Sequence, residues 1–478
     1  MRFNLRHIVP IALLSLVGCG AETSESEELS ATAEEVGQAQ SMLQASDCSS
    51  CLAGTEGARF ISGFERERVQ GDIYHYSIRL QVGRSAHDII TLHRVVKERL
   101  AWWPVRAPES IFMVHGDAWN FQGAFMASTL TATVNKKQSI AVYLADQGVD
   151  VWGIDQRWTH VPEGTQDFSF MAGWNLGTHA QDVGTGLTVA RAVRALTGSG
   201  AGKMNLLGWS RGATVSYAYM SAETQLPQGL RNVSGFIPVD MVLKFGPEGE
   251  QQRQWACVRA AVGDLVLQSG RVEGNLGGPG AGVTIQQVGQ AAITYPDFPA
   301  QVPGVELPPM TYRELGRTVG AATFSLLTNE EFGIQPSVPY YHFSAGEFST
   351  TTGLPTELKH LESDRQFFDF LASARPYQSF MEQVESDRMM CGDTSLPYDD
   401  HLSQVKVPVL YVGAAGGFGS YGVHSAKQLG SKDVSVLLVK KYQSDEYRLL
   451  DYGHADLFLA SGAEQDVWAP ILKWMKKH

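Results

Sequence analysis

The chain has 478 residues, enough for two or three domains or for one large α/β domain carrying an insertion. Its formal net charge of −12, from 50 acidic against 38 basic residues, argues against nucleic acid as the main partner. Part of that charge is local, because Glu22, Glu25, Glu27, Glu28, Glu34 and Glu35 share one short stretch with no Lys or Arg among them.

The first residues read as a targeting signal. Arg2 and Arg6 form a basic start, residues 8–16 an apolar run too short to span a bilayer, and Leu16-Val17-Gly18-Cys19 ends it. That tetrapeptide resembles a bacterial lipoprotein signal box, which implies that residues 1–18 are removed and that Cys19 becomes an acylated N-terminus anchored to the membrane. Gly20 and Ala21 follow rather than Asp, which points to outer-membrane sorting. The alternative is a plain secretory signal in which Cys19 is incidental. Residues 19–46 then read as an acidic disordered tether. Cys48, Cys51, Cys257 and Cys391 remain, an even number that favours disulfides in an exported chain. Of three possible pairings, Cys48 with Cys51 and Cys257 with Cys391 is the favoured one. A redox role for the Cys48-Ser-Ser-Cys51 spacing lacks a surrounding βαβ pattern, and no second Cys/His cluster suggests zinc.

Along the folded part, residues 72–82 and 88–96 alternate and are rich in β-branched residues, predicting two antiparallel strands joined through 83–87. Residues 110–114 form a run that is apolar after Ser110 and leads into His115-Gly116-Asp117, the pattern of a buried parallel strand. A helix over 138–147 and a strand over 149–154 follow, then a helix over 179–196 with apolar residues at helical spacing. Asp155 and Arg157, at the end of that strand, are read as structural.

Residues 204–207 predict a buried strand, 208–212 a sharp turn, and 213–220 the opening of a helix, with Ser210 at the apex. Composition alone would generate roughly 0.4 matches to G-x-S-x-G, so the bare motif says little. Strand, turn and helix in that order give it meaning: such a nucleophile elbow lifts the Ser210 hydroxyl above the sheet and leaves the Arg211 N–H free to bind an oxyanion. Residues 235–239 predict another parallel strand, closed by Asp240.

From about residue 245 to 398 the pattern changes, with Gly- and Pro-rich loops and two predicted amphipathic helices over 312–327 and 361–374. Phe324, Tyr340, Tyr341, Phe343, Phe367, Phe368 and Phe370 either line an apolar pocket or form this segment's own core. Strands follow over 407–412, 434–439 and 447–450. His454 then sits in a loop before a final helix over 467–475.

Several blocks share a family resemblance. LADQGVDVWGIDQRW (144–158), DFSFMAGWN (167–175), HDIITLHRV (87–95) and DYGHADLFLA (451–460) are similar to the corresponding segments of acid lipases of the gastric and lysosomal type. The similarity covers the core blocks and not residues 245–398. It implies an α/β-hydrolase fold: a doubly wound, mostly parallel sheet in a core of residues 47–244 and 399–478, with 245–398 as a helical cap or lid. It also implies that His454 is the general base and that the N–H of Asp117 completes the oxyanion hole. The Asp117 carboxylate is awkward there unless it points away or pairs with a cation.

The sequence departs from that pattern at the acid. The resemblance implies an Asp or Glu just after the seventh strand, yet residues 413–432 contain neither. Asp240, ending the sixth strand, is the preferred substitute, ahead of Asp433 and of Asp456, which lies too near His454 in sequence. The resulting expectation is a membrane-tethered serine hydrolase of carboxylic esters, with Ser210, His454 and Asp240 catalytic and no metal or organic cofactor required. An amidase or peptidase of the same fold, and a non-catalytic binding lipoprotein, are the alternatives.

Overall fold

The computed structural model describes residues 58–274 and 280–478. The signal segment, Cys19, the tether, Cys48 and Cys51 lie outside the described residues. Among the described residues no helix is long and apolar enough to cross a membrane.

One large sheet organises the molecule. Its strands are β1 (Arg59–Phe60), β2 (Glu65–Gln70), β3 (Ile73–Gln81), β4 (Ile89–Leu100), β5 (Trp103–Pro104), β6 (Ser110–Val114), β7 (Asp150–Asp155), β8 (Met204–Trp209) and β9 (Val233–Val239). After a two-stranded hairpin of β10 (Gly346–Phe348) and β11 (Pro355–Leu358), the sheet resumes with β12 (Val409–Ala414) and β13 (Val434–Val439). The spatial order is β1-β3-β4-β7-β6-β8-β9-β12-β13, with β2 and β5 flanking β3 and β4. From β7 to β13 all neighbours are parallel, and β4 joins β7 antiparallel.

The sequence pattern explains this division. Every residue of β6, β7, β8 and β12 is buried, as expected for parallel strands covered on both faces. Ile111 and Met113 face the layer containing α1 (Ile140–Asp146), while Phe112 and Val114 face α2 (Leu176–Leu196) and α3 (Arg211–Glu223). The β3–β4 hairpin pairs Ile73 with Lys97 through Gln81 with Ile89, and Asp88 closes its turn by accepting from the Ser85 N–H at 2.9 Å. Asp155 and Arg157 are buried structural links. Asp155 accepts from the Phe121 N–H at 2.7 Å, and Arg157 pairs with both Asp88 and Asp182.

Between β9 and β12 the chain leaves the sheet and forms α4 (Glu250–Gln268), α5 (Ala281–Thr294), α6 (Tyr312–Ala321), the β10–β11 hairpin, α7 (Asp364–Ala372) and α8 (Phe380–Cys391). A disulfide joins Cys257 on α4 to Cys391 at the end of α8. Phe367, Phe368 and Phe370 are core residues of this insertion.

Three local expectations need correction. Residues 447–450 are not a strand but part of a 3₁₀ turn, Asp445–Leu450, opened by the Ser444 side chain accepting from the Glu446 N–H. The helix expected over 312–327 breaks at Ala322 into α6 and a short turn, Thr323–Leu326. The C-terminal helix begins with a π turn, Glu464–Trp468, before α9 (Ala469–Met475), where Pro470 has no N–H to continue the regular ladder.

A histidine cluster on β3 and β4 gives the fold an acid-sensitive spot. His75 Nε2 lies 2.9 Å from His93 Nδ1, and His93 Nε2 lies 3.1 Å from Asp155. Burial, and then the neighbouring His93, lower the His75 pKa to about 3; burial, with Arg79 and Arg375 adding to it, lowers that of His160 to about 4. The unfolded chain therefore takes up protons below the ordinary value of 6.5 while the folded one does not. Their contribution is complete above that value and is lost as pH falls towards the folded-state values. We expect a stability loss on the order of 2 kcal/mol between about pH 6.5 and 4 from this cluster, discounting for partial exposure. Thermal unfolding across that range should show it, with a flatter dependence in His75→Gln.

Candidate active site

The turn after β8 has the strained geometry that its sequence requires. Ser210 sits at φ 57° and ψ −134°, outside the regions a serine normally occupies, between the end of β8 and the first residue of α3. Its N–H donates to Val239 O at 3.0 Å, which holds the turn against β9. A Cβ on Gly208 would lie 2.5 Å from Gly212 O, and one on Gly212 would strike the backbone carbonyls of Val114 and His115. Small residues at both flanks are thus dictated by close packing.

His454 lies after the 3₁₀ turn and is almost wholly buried. Its Nδ1 is 2.7 Å from Asp240 Oδ2. Asp240 is fully buried, and its other oxygen accepts from the Ala414 N–H at 2.9 Å and the Gly419 N–H at 3.1 Å. The last residue of β12 and the carboxyl-free segment after it therefore place their backbone donors around a carboxylate supplied by the end of β9. Gly417 makes room for it, since a Cβ there would collide with Asp240 Oδ2. With Asp240 holding Nδ1, the remaining nitrogen, Nε2, has no hydrogen-bond partner among the described residues. The His454 ring stacks on Trp209, centroids 5.0 Å apart, and lies near Tyr341 and Phe418, so apolar walls fix its orientation.

The other candidate carboxylates are elsewhere. Asp433 is 3.1 Å from His478 at the surface. Asp456 is buried beside His454 in sequence, but its oxygens accept from Ser344 Oγ at 2.7 Å and from the N–H groups of Ala345 and Gly453, both at 2.8 Å. It shapes the loop and does not face the ring nitrogens.

Asp117 follows β6 through His115 and Gly116. His115 is fully buried, which lowers its pKa, and it locks this loop in place: Nε2 accepts from the Gln156 N–H at 3.1 Å, and Nδ1 lies 3.0 Å from Gly116 O. Gly116 presses against the elbow, where a Cβ would come within 2.5 Å of Ser210 Cβ. The Asp117 carboxylate does pair with a cation. Arg211 donates to it in a fork, Nε to Oδ1 at 2.5 Å and Nη2 to Oδ2 at 2.7 Å. Burial opposes the charge on Arg211, but Asp117, then Glu382 and Asp387, outweigh it and raise its pKa.

Ser210, Arg211, Asp117 and His454 line one cavity of about 250 Å³ between the sheet and the insertion. Tyr341, Phe343, Val262, Val266, Phe380 and Val384 give it mostly apolar walls, suited to an acyl chain or a hydrophobic alcohol. Tyr341 and Phe343 are thus the members of the insertion's aromatic set that reach the site, whereas Phe324 and Tyr340 pack on one another away from it. A larger cavity of about 720 Å³, lined by His75, His93, His160 and other polar groups, contains neither Ser210 nor His454. Among the described residues no group of His, Cys, Asp and Glu is arranged to hold a metal ion.

No protein-family model matches the chain, and neither does the sequence of any curated protein. Solved structures do resemble it. A Sulfolobus solfataricus protein described as a candidate lipase superposes with a TM-score of 0.56 at 18% identity, over 87% of this chain and 99% of its own. A thermophilic esterase from Thermogutta terrifontis aligns over 87% and 99% at 14% identity, TM-score 0.38. Monoglyceride lipase from Saccharomyces cerevisiae aligns over 88% and 97% at 13% identity, TM-score 0.39. At such identities the first likeness establishes a shared fold, and the other two add nothing to the argument.

Proposed function

We propose that this chain, which has the α/β-hydrolase fold, is a serine hydrolase of carboxylic esters. What carries the reading is one arrangement: His454 held at Nδ1 by Asp240 at 2.7 Å, its Nε2 unpartnered, in the cavity that Ser210 also lines. In this reading His454 Nε2 takes the proton of Ser210 as Oγ attacks the ester carbonyl. The N–H groups of Arg211 and Asp117 receive the oxyanion, and His454 returns the proton to the departing alcohol. Water, deprotonated by the same imidazole, then attacks the acyl-enzyme, and the imidazolium returns the proton to Ser210 Oγ as the acyl–oxygen bond breaks and the acid is freed. Asp240 stabilises the imidazolium in both halves and keeps the tautomer. The mostly apolar walls favour esters with hydrophobic parts over highly charged ones. The insertion acts as the cap of this site.

A fluorophosphonate probe tests the reading directly. It should form one adduct on folded protein, on the peptide containing Ser210, and matched p-nitrophenyl esters should be turned over faster than the corresponding anilides. No adduct on folded protein would favour a binding protein that has kept the scaffold. For the N-terminal segment we propose acylation at Cys19 and membrane tethering, supported by the signal-box residues 16–19. Metabolic labelling with a fatty acid should be lost in Cys19→Ser.

A further inference from the structure

The loop carrying Asp117 is fastened to the insertion as well as to the core. Trp119 Nε1 donates to Phe370 O at 2.7 Å, and its ring stacks on Phe370 with centroids 4.0 Å apart. Arg375 N–H donates to Ala118 O at 2.5 Å, at a non-glycine residue held at φ 66°. Gln378 donates to Asp117 Oδ1, sharing that oxygen with Arg211. One turn further on, Glu382 of α8 is fully buried, its Oε1 3.7 Å from Arg211 Nε and its Oε2 hydrogen-bonded to His179 of α2.

This places a second carboxylate behind the guanidinium that neutralises Asp117. Arg211 and Asp117 are the two residues whose backbone N–H groups are assigned to the oxyanion. Their side chains are clasped to each other, so any tilt of the guanidinium is transmitted to both donors. Glu382 contributes no atom to the cavity lining, whereas Arg211 does. Its charge therefore acts through Arg211 and not on substrate. An oxyanion hole depends on donors fixed within tenths of an ångström before the reaction begins, and losing one such donor costs roughly a hundred- to a thousandfold in rate.

We propose that Glu382 is a positioning residue: through Arg211 and Asp117 the cap segment 370–382 fixes the oxyanion donors, making the cap part of the catalytic scaffold. The proposal rests on the serine-hydrolase reading above. It implies an effect on kcat with little effect on KM, because the donors matter most once the carbonyl oxygen has become charged.

The test uses the full chain and its Glu382→Gln variant, with kcat and KM for a p-nitrophenyl ester expressed per serine titrated by a fluorophosphonate, so that unfolded molecules do not count. Glu382→Gln should lose roughly tenfold or more in kcat per titrated serine, with KM changed by less than about threefold. Affinity for an alkyl boronic acid, which forms a tetrahedral adduct on the serine, should weaken in proportion. Wild-type kcat per titrated serine, or a loss carried by KM alone, overturns the proposal. If Glu382→Gln does not fold, Gln378→Ala decides it: a several-fold fall in kcat is expected and an unchanged value overturns. Absence of labelling in the wild type would sink the serine reading and this inference together. Normal labelling with unchanged kcat in the folded variants sinks the inference alone.

Discussion

Replacing Ser210 by alanine should lower ester turnover by roughly a millionfold, the loss seen when a nucleophile of this type is removed. The expectation is clean because the substitution leaves the rest of the elbow intact. Serine and alanine both carry a Cβ, so both bear the strain of φ 57°, and the Ser210 N–H that holds the turn to Val239 O belongs to the backbone. Thermal stability should therefore stay within about 0.5–1 kcal/mol of the wild type, while the fluorophosphonate adduct disappears. His454→Asn should be almost as damaging to turnover. A Ser210→Ala protein with more than about one per cent of wild-type activity would move the chemistry to another residue.

Asp240→Asn should cost about ten-thousandfold in kcat, again with the fold retained. An asparagine oxygen would still accept from the Ala414 and Gly419 N–H groups, so the wrapped loop keeps its anchor. The amide NH₂ would then face His454 Nδ1 and force the opposite tautomer, with its hydrogen on Nε2, the nitrogen that accepts the Ser210 proton in the proposed mechanism. The controls are the two carboxylates lying elsewhere. Asp433→Asn should leave kcat unchanged. Asp456→Asn should lower stability by unsettling the Ser344, Ala345 and Gly453 contacts and leave the His454–Asp240 contact, and so kcat of the folded fraction, unchanged. A large kcat loss in Asp433→Asn with little in Asp240→Asn would reverse the assignment.

The parts of this molecule that were legible in its sequence are those whose physics is local. Residues 110–114, 204–207 and 235–239 are short, largely apolar runs, with Ser110 and Asn205 as polar members, and both faces of a parallel strand must be covered, so β6, β8 and β9 could be anticipated. Asp240 was legible because it closes one of those runs at the edge of the sheet where the site lies. Residues 447–450 misled because a short apolar run carries no period that distinguishes strand from turn. Glu382 and His179 were invisible for another reason. They meet across 203 residues of chain without any motif, and only the packing of α8 on α2 brings them together. The glycine that admits Asp240, Gly417, was hidden among its neighbours Gly413, Gly416 and Gly419, since its meaning depends on a side chain from a distant strand.

The covalent bond between Cys257 and Cys391 spans 134 positions and closes most of the insertion into a loop whose two ends emerge side by side. A protease that nicks an exposed turn inside that loop therefore cannot release a fragment. The cut protein should migrate at full mass on a gel until a reductant is added, and then fall apart into two bands. The bridge acts as a safety catch: a single break between residues 257 and 391 leaves both halves covalently tethered.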